Sequence, residues 1–94
     1  MGVYKAMTKI LQDVNLGVNL KSIRNSKGLT QEEVCAKLTL LGRPMVQNNY
    51  AQIESGKRNI FLSDLLALKK IFGVSYDELF KDLEPISKYD LEDK

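Results

Sequence analysis

The segment 29–58 constrains the fold more than any other part of the chain, because it marks out two short helices with a break between them. Thr30 and Glu33 form a capping box, in which the hydroxyl accepts from the amide of residue 33 and the carboxylate accepts from the amide of residue 30. Val34 and Leu38 follow four residues apart, which places both on one helix face. A helix with a well-defined start is therefore predicted from this capping box onward.

A break separates this helix from the next one. In the segment 39–44, Gly42 permits a reversal of the chain, and Pro44 disfavours helical backbone in the residue before it. Helical spacing resumes over about residues 46–55, and Gly56 is expected to end that second helix. The two helices and their connection predict a helix-turn-helix.

Three further helices are predicted from similar signals. One begins near Asn15 or Leu16 and stops at Gly28, another is closed by Gly73, and a short last helix opens with a capping box of Ser75 and Glu78. Five short helices without an alternating strand pattern predict an all-α, five-helix bundle. The apolar side chains expected to face its core are Leu20, Ile23, Tyr50, Ile53, Leu62, Leu65, Leu66, Leu68, Ile71, Tyr76, Leu79 and Phe80.

The two ends of the chain differ from this body, which spans residues 15–80. In the segment 1–14, Val3, Met7, Ile10 and Val14 recur at helical spacing, so the segment is either a short leading helix or a frayed arm. Residues 1–80 hold eleven basic against seven acidic side chains, whereas residues 81–94 hold three against five. A mildly basic body with an acidic tail suits a polyanionic partner, although the charge pattern alone is weak evidence.

Composition excludes several classes of protein. The chain has one cysteine and no histidine, so an intrachain disulfide, the usual metal sites and Cys/His or Ser/His catalysis are not expected. We expect no cofactor and no enzymatic activity. No signal-peptide core and no run of eighteen apolar residues is present, so we expect a cytoplasmic protein without a membrane span.

The outer face of the second helix of the segment 29–58 is rich in carboxamides. Such side chains suit the major groove of DNA, because an amide can donate to N7 of adenine and accept from its N6 amine at the same time. The alternative is a polar face that only meets solvent. The candidate base-reading residues are Gln47, Asn48, Asn49 and Gln52.

With these residues in view, the chain resembles the lambda-repressor-like regulators, the Cro and xenobiotic-response-element family of DNA-binding proteins, over residues 16–80. The matching pieces, in family order, are residues 20–24 (LKSIR), 27–33 (KGLTQEE), 53–59 (IESGKRN) and 73–80 (GVSYDELF). The connection between the two central helices is about five residues longer than is usual, which resembles the longer-turn subgroup. Ile60 and Phe61 also depart from the family pattern, and either one folds inward or meets a second subunit.

The resemblance implies roles for particular residues. Gln31 would contact a DNA phosphate and brace the first base-reading side chain. Arg24 and Glu54 would form an ion pair that orients the helix carrying the base-reading residues. In the alternative, Arg24 contacts a DNA phosphate and Glu54 is in solvent. Cys35 would be a small buried packing residue. Apart from the resemblance, position just after the second of the two central helices suggests DNA-backbone contacts for Lys57, Arg58 and Asn59, with Arg43, Lys27 and Lys21 as weaker additions. For any single lysine the alternative is a surface charge that only meets solvent.

Three functions follow from these expectations. The first is a sequence-specific transcriptional regulator, a repressor that binds a palindromic operator on double-stranded DNA as a homodimer. The second is an antitoxin-type module, in which the same body binds DNA and the segment 1–14 binds a partner protein. The third is a helical scaffold that binds no nucleic acid and would show no salt-dependent affinity for DNA.

Overall fold

Five α-helices make up the computed structural model, which describes residues 12–87. Within those residues there is no strand, and the predicted all-α fold is confirmed. The predicted leading helix falls mostly outside the described residues, and Val14 lies in the non-helical segment before the first helix. The helices are α1 Leu16–Ser26, α2 Gln31–Leu40, α3 Gln47–Glu54, α4 Leu62–Phe72 and α5 Tyr76–Leu79.

The helix starts lie where the capping signals predicted them. The Thr30 hydroxyl accepts from the amide of Glu33 at 3.1 Å, and the Glu33 carboxylate accepts from the amide of Thr30 at 2.8 Å. Hydrogen bonding to the Glu33 carboxylate, first from the backbone amide and then from the side chain of Thr30, lowers the pKa of Glu33 below its usual value. Ser75 and Glu78 form the second predicted capping box, and Asn15 caps α1 through its side chain.

The core lies where the five helices meet. α1 packs on α3, α2 contacts both α3 and α4, and α5 closes the bundle against α1. A row of apolar side chains fills the space between them, as hydrophobic burial requires. The residues that are at most 1% exposed are Leu20, Val34, Leu38, Tyr50, Ile53, Ile60, Leu68 and Leu79.

Four residues expected in the core are instead exposed. Leu62 and Leu66 are 54% and 44% exposed, because α4 turns only the face that carries Leu65 and Leu68 toward the bundle. Tyr76 and Phe80 face solvent too, and their rings stack on each other with centroids 6.4 Å apart. The prediction that these side chains of α4 and α5 face the core was therefore wrong. Leu62, Leu66, Tyr76 and Phe80 form an exposed apolar strip.

Gly17 lets α1 lie directly on the C-terminal end of α3. A Cβ atom at this position would stand 2.3 Å from the carbonyl oxygen of Glu54 and 2.4 Å from that of Ile53. Only a residue without a side chain fits such a close approach of two backbones. This contact fixes the depth at which α3 sits against α1.

The loop between α3 and α4 resolves the alternatives for its apolar pair. Ile60 is 1% exposed and has folded into the core, while Phe61 is half-buried beside it. No helix in the described part of the chain is long and apolar enough to cross a membrane.

Candidate nucleic-acid interface

The α3 helix divides its side chains between the core and the surface. Tyr50 and Ile53 are buried, as predicted, and anchor the helix. On the opposite side Gln47 and Asn48 are exposed at the N-terminal end, while the other two predicted reading residues, Asn49 and Gln52, are half-buried. The amides that reach furthest into solvent are therefore those at the first two positions of the helix.

An ion pair behind α3 joins it to α1. The Nε atom of Arg24 lies 2.7 Å from Oε2 of Glu54, and its Nη2 atom lies 3.0 Å from Oε1. The guanidinium also donates to the carbonyl oxygen of Leu29 at 2.8 Å. Arg24 and Glu54 are 8% and 5% exposed, so the alternative with Arg24 on phosphate and Glu54 in water is excluded. The pair that the resemblance implied is present and orients α3.

Two glutamines continue this network to the surface. The Nε2 atom of Gln31 donates to Oε1 of Glu54 at 3.1 Å, and the Nε2 atom of Gln47 donates to Oε1 of Gln31 at 3.3 Å. A carboxylate only accepts hydrogen bonds, so Glu54 fixes which end of the Gln31 amide faces it. The Gln31 side-chain oxygen is then free to accept from the Gln47 amide. The buried carboxylate of Glu54 therefore sets the direction of both hydrogen bonds that lead to the surface.

The network determines which hydrogen-bonding groups of the Gln47 amide remain available to a ligand. One of its two N–H groups is used by Gln31, so the Oε1 acceptor and the second N–H remain. These are the two groups that a bidentate contact with adenine requires. The arrangement thus holds the Gln47 amide in a defined orientation at the surface.

Burial and hydrogen bonding compete at Glu54. Burial by itself would raise the pKa of this carboxyl group, but the hydrogen bonds from Arg24 and Gln31 outweigh it and hold the pKa below the usual value. The same pairing with Glu54 raises the pKa of Arg24. The buried Tyr50 hydroxyl lies near this carboxylate without a hydrogen bond of ordinary geometry, and burial raises the pKa of Tyr50. At neutral pH the carboxylate is charged and the phenol is neutral.

The loop after α3 folds back on the helix and places two basic residues beside it. The amides of Lys57 and Arg58 both donate to the carbonyl oxygen of Gln52, at 2.8 and 3.2 Å, and Gly56 turns the chain with a φ of 79°. The Nε atom of Arg58 also donates to Oε1 of Gln52 at 3.2 Å. The side-chain oxygen of Gln52 is therefore hydrogen-bonded within the protein. The Lys57 side chain, in contrast, is exposed.

Gln12 ties the start of the described chain to this loop and was missed by the sequence analysis. Its amide donates to Oδ1 of Asn59 at 3.0 Å, and its side chain donates to the carbonyl oxygen of Arg58 at 2.8 Å. Asn59, a predicted backbone contact, thus uses its oxygen inside the protein. No periodicity marks Gln12, because it lies outside every helix and the loop residues that it binds, Arg58 and Asn59, are more than forty residues away in sequence.

Arg43 serves the long connection between α2 and α3. Its Nε atom lies 2.6 Å from Oδ1 of Asp64, and its guanidinium sits over the ring of Phe61 at 6.0 Å from the centroid. Arg43 was predicted as a weak phosphate contact, and the structure gives its charge a partner on α4. The Arg43–Asp64 pair attaches the connection between α2 and α3 to α4.

The remaining predicted residues lie on α1 and α2. Lys21 is exposed in the middle of α1, and Lys27 is exposed at its C-terminal cap. Cys35 is buried, and burial raises the pKa of its thiol, which fits a packing role. In the described part of the chain no group of three acidic or cysteine side chains is placed to hold a metal ion.

A five-helix bundle that holds an amide-bearing third helix outward from a buried ion pair is a helix-turn-helix domain. Comparison with protein families agrees, since a helix-turn-helix family model matches residues 20–79. The chain belongs to this helix-turn-helix family and is a DNA-binding transcriptional regulator. The family consists of regulators that bind DNA and is not a family of enzymes.

A curated relative supports this assignment. The chain is 35% identical to the control protein C.MunI of Mycoplasma sp over 72 residues, which are 76% of this chain and 90% of the relative. No solved structure matches the chain significantly. The family resemblance inferred from the sequence is confirmed.

Proposed function

We propose that this protein is a sequence-specific repressor that binds a palindromic operator as a homodimer, with Gln47 and Asn48 reading base edges in the major groove. The hydrogen-bond network that runs from Arg24 through Glu54 and Gln31 to Gln47 carries this proposal. A solvated polar face has no need of a buried ion pair that fixes the direction of a surface amide. Because the Gln47 side chain is ordered in the free protein, less conformational entropy is lost when DNA binds.

Backbone contacts fix the register of the reading helix on DNA. Lys57 and Arg58 follow α3 directly and supply positive charge beside it, and the N-terminus of α2 with Gln31 faces an anion favourably. Asn59 keeps its side-chain nitrogen as a donor, since only its oxygen is bonded to Gln12. Lys21 and Lys27 add weaker contacts from α1, and Arg43 acts chiefly through its pairing with Asp64.

The homodimer proposal rests on the exposed apolar strip of α4 and α5. Leu62 and Leu66 lie four residues apart on one helix face, and Lys69 follows three residues later. The Lys69 ammonium sits 4.4 Å from the centroid of the Tyr76 ring, which in turn stacks on Phe80. Two copies that cover this strip would hold two reading helices together, as half-sites about 34 Å apart require.

Selection of duplexes from a random pool with the purified protein tests the operator proposal. The expected result is one recurring motif with two-fold symmetry, and a pool without enrichment would contradict sequence-specific binding.

Sedimentation equilibrium tests the dimer. Leu66→Glu should yield a monomer, whereas Leu40→Glu, at an exposed leucine at the end of α2, should not.

Repression by occupying a promoter is the simplest mechanism for such a protein, and the proposed DNA ligand supports a location in the cytoplasm. The name of the relative, a control protein, supports a regulatory role. A protein partner bound through the segment 1–14 remains a prediction, because most of the apolar stripe proposed for it lies outside the described residues.

A further inference from the structure

An apolar residue lies at the start of α3, the helix proposed to read DNA bases, at a position where a polar residue is usual. Val46 is the N-cap of α3, it makes no side-chain capping bond, and it is 63% exposed. Ser, Thr, Asp and Asn are strongly preferred at this position because their side chains satisfy the free amides of the first turn. In the described chain α1, α2 and α5 follow that preference, with Asn15, Thr30 and Ser75, whereas α4 begins after the apolar but half-buried Phe61.

The backbone around Val46 is held in place, so its side chain has a defined position. Pro44 restricts the chain two residues earlier, Met45 packs against the core, and Arg43 is bonded to Asp64. A β-branched side chain also has few rotamers to lose. An exposed but rigid apolar group is suited to a contact with another molecule.

The surroundings of Val46 are those of the proposed reading surface. It directly precedes Gln47 and Asn48, and it lines one groove together with Asn49 and Arg58. These four neighbours are polar, while Met45, Ile53 and Phe61 form the apolar part of the same groove. The Val46 side chain forms no hydrogen bonds, so the contact that it can offer beside the Gln47 and Asn48 amides is one with an apolar group.

The major groove offers one such group. Thymine carries a 5-methyl group there, and the other unmodified bases present only hydrogen-bonding groups at their edges. We propose that Val46 contacts the 5-methyl group of a pyrimidine next to the bases that Gln47 and Asn48 read. Val46 is then a specificity-determining residue that favours thymine, or equally 5-methylcytosine, over unmodified cytosine. This inference rests on the proposed function.

Deoxyuridine tests the contact because it removes only the methyl group. With the operator obtained by selection, each thymine is replaced in turn by deoxyuridine, and affinity is measured by fluorescence anisotropy. One position in each half-site should lose about fourfold in affinity, the effect of one buried methyl group. If the base pair at this position is changed to C·G, methylating that cytosine at C5 should restore a similar factor.

Variants assign the effect to this side chain. Val46→Ala should bind the thymine and deoxyuridine duplexes equally, and Val46→Thr, which keeps one methyl group and adds a capping hydroxyl, should retain part of the difference. Val18→Ala is the matched control, since Val18 is 57% exposed on α1 and should leave the factor intact.

Three results would overturn the inference while sequence-specific binding still stands. They are a uniform response to deoxyuridine at every position, a difference that persists in Val46→Ala, and a Val46→Ala variant that alters only self-association. Failure of the random pool to yield any motif would instead contradict the proposed function itself. The two failures are therefore distinguishable.

Discussion

Arg24 on α1 holds the Glu54 carboxylate on α3 through two hydrogen bonds, of 2.7 and 3.0 Å, in a nearly solvent-free site. The pair is bidentate, so it fixes angle as well as distance between the two helices. Gln31 and Gln47 extend it to the surface. The contact between α1 and α3 and the proposed base recognition therefore depend on the same carboxylate.

Glu54→Ala should lower the free energy of unfolding by about 3 to 5 kcal/mol, because it leaves the Arg24 charge buried without a partner. Urea denaturation measures this change. Glu32→Ala, on the exposed side of α2, is the matched control and should change stability by less than about 0.5 kcal/mol. Similar small losses in both variants would mean that the pair does not hold α3.

Acid should weaken the protein through Glu54. Because the pKa of this group is below its usual 4.5 in the folded state, its contribution is complete above pH 4.5 and is lost as pH falls through the folded pKa. Glu54→Gln should therefore show a flatter decline of unfolding free energy below pH 4.5 than the wild-type protein. Denaturant titrations at a series of pH values measure both curves, and parallel curves would contradict the assignment.

Gly17→Ala should destabilise the protein although alanine is the better helix former. Helix propensity alone would stabilise α1 by about 1 kcal/mol, but the added Cβ would overlap two carbonyl oxygens of α3. We expect a net loss of at least about 2 kcal/mol in thermal or urea unfolding. Gly28→Ala, whose Cβ meets no neighbour but whose φ is 70°, should cost about 1 kcal/mol. A more stable Gly17→Ala variant would show that the helices do not approach as closely.

Removing the Lys57 charge should weaken binding to every DNA sequence by a similar factor. Each phosphate contact contributes about 0.9 to the slope of log K against log salt, so Lys57→Ala should flatten the slope by about one. Lys70→Ala, at an exposed lysine on α4, is the control and should leave it unchanged. An unaltered slope for Lys57→Ala would remove this residue from the interface.

Local signals in the sequence predicted the helices well. Thr30 with Glu33 and Ser75 with Glu78 are capping boxes whose partners lie three residues apart, so local sequence contains the whole interaction. The exposed positions of Gln47 and Asn48 also followed from helical spacing alone. The Arg24 and Glu54 pair came from the family resemblance, because no local pattern joins residues thirty positions apart.

Long-range contacts account for what the sequence did not predict. The Arg43 bond to Asp64 and the bonds of Gln12 exist only once α4 and the α3–α4 loop are in place. Tyr76 and Phe80 have the spacing of a buried face, yet the bundle covers only one side of α5. Hydrophobic periodicity gives the direction of a side chain, but it does not tell whether another element lies there to bury it.

The most direct test of base recognition by α3 compares Gln47→Ala and wild-type protein on the selected operator and on a scrambled duplex, with Asn25→Ala as an exposed control on α1. Losing a bidentate contact should lower operator affinity by about 1 to 3 kcal/mol per half-site and leave scrambled DNA nearly unaffected. Equal losses on both duplexes, or no loss on either, would contradict the account.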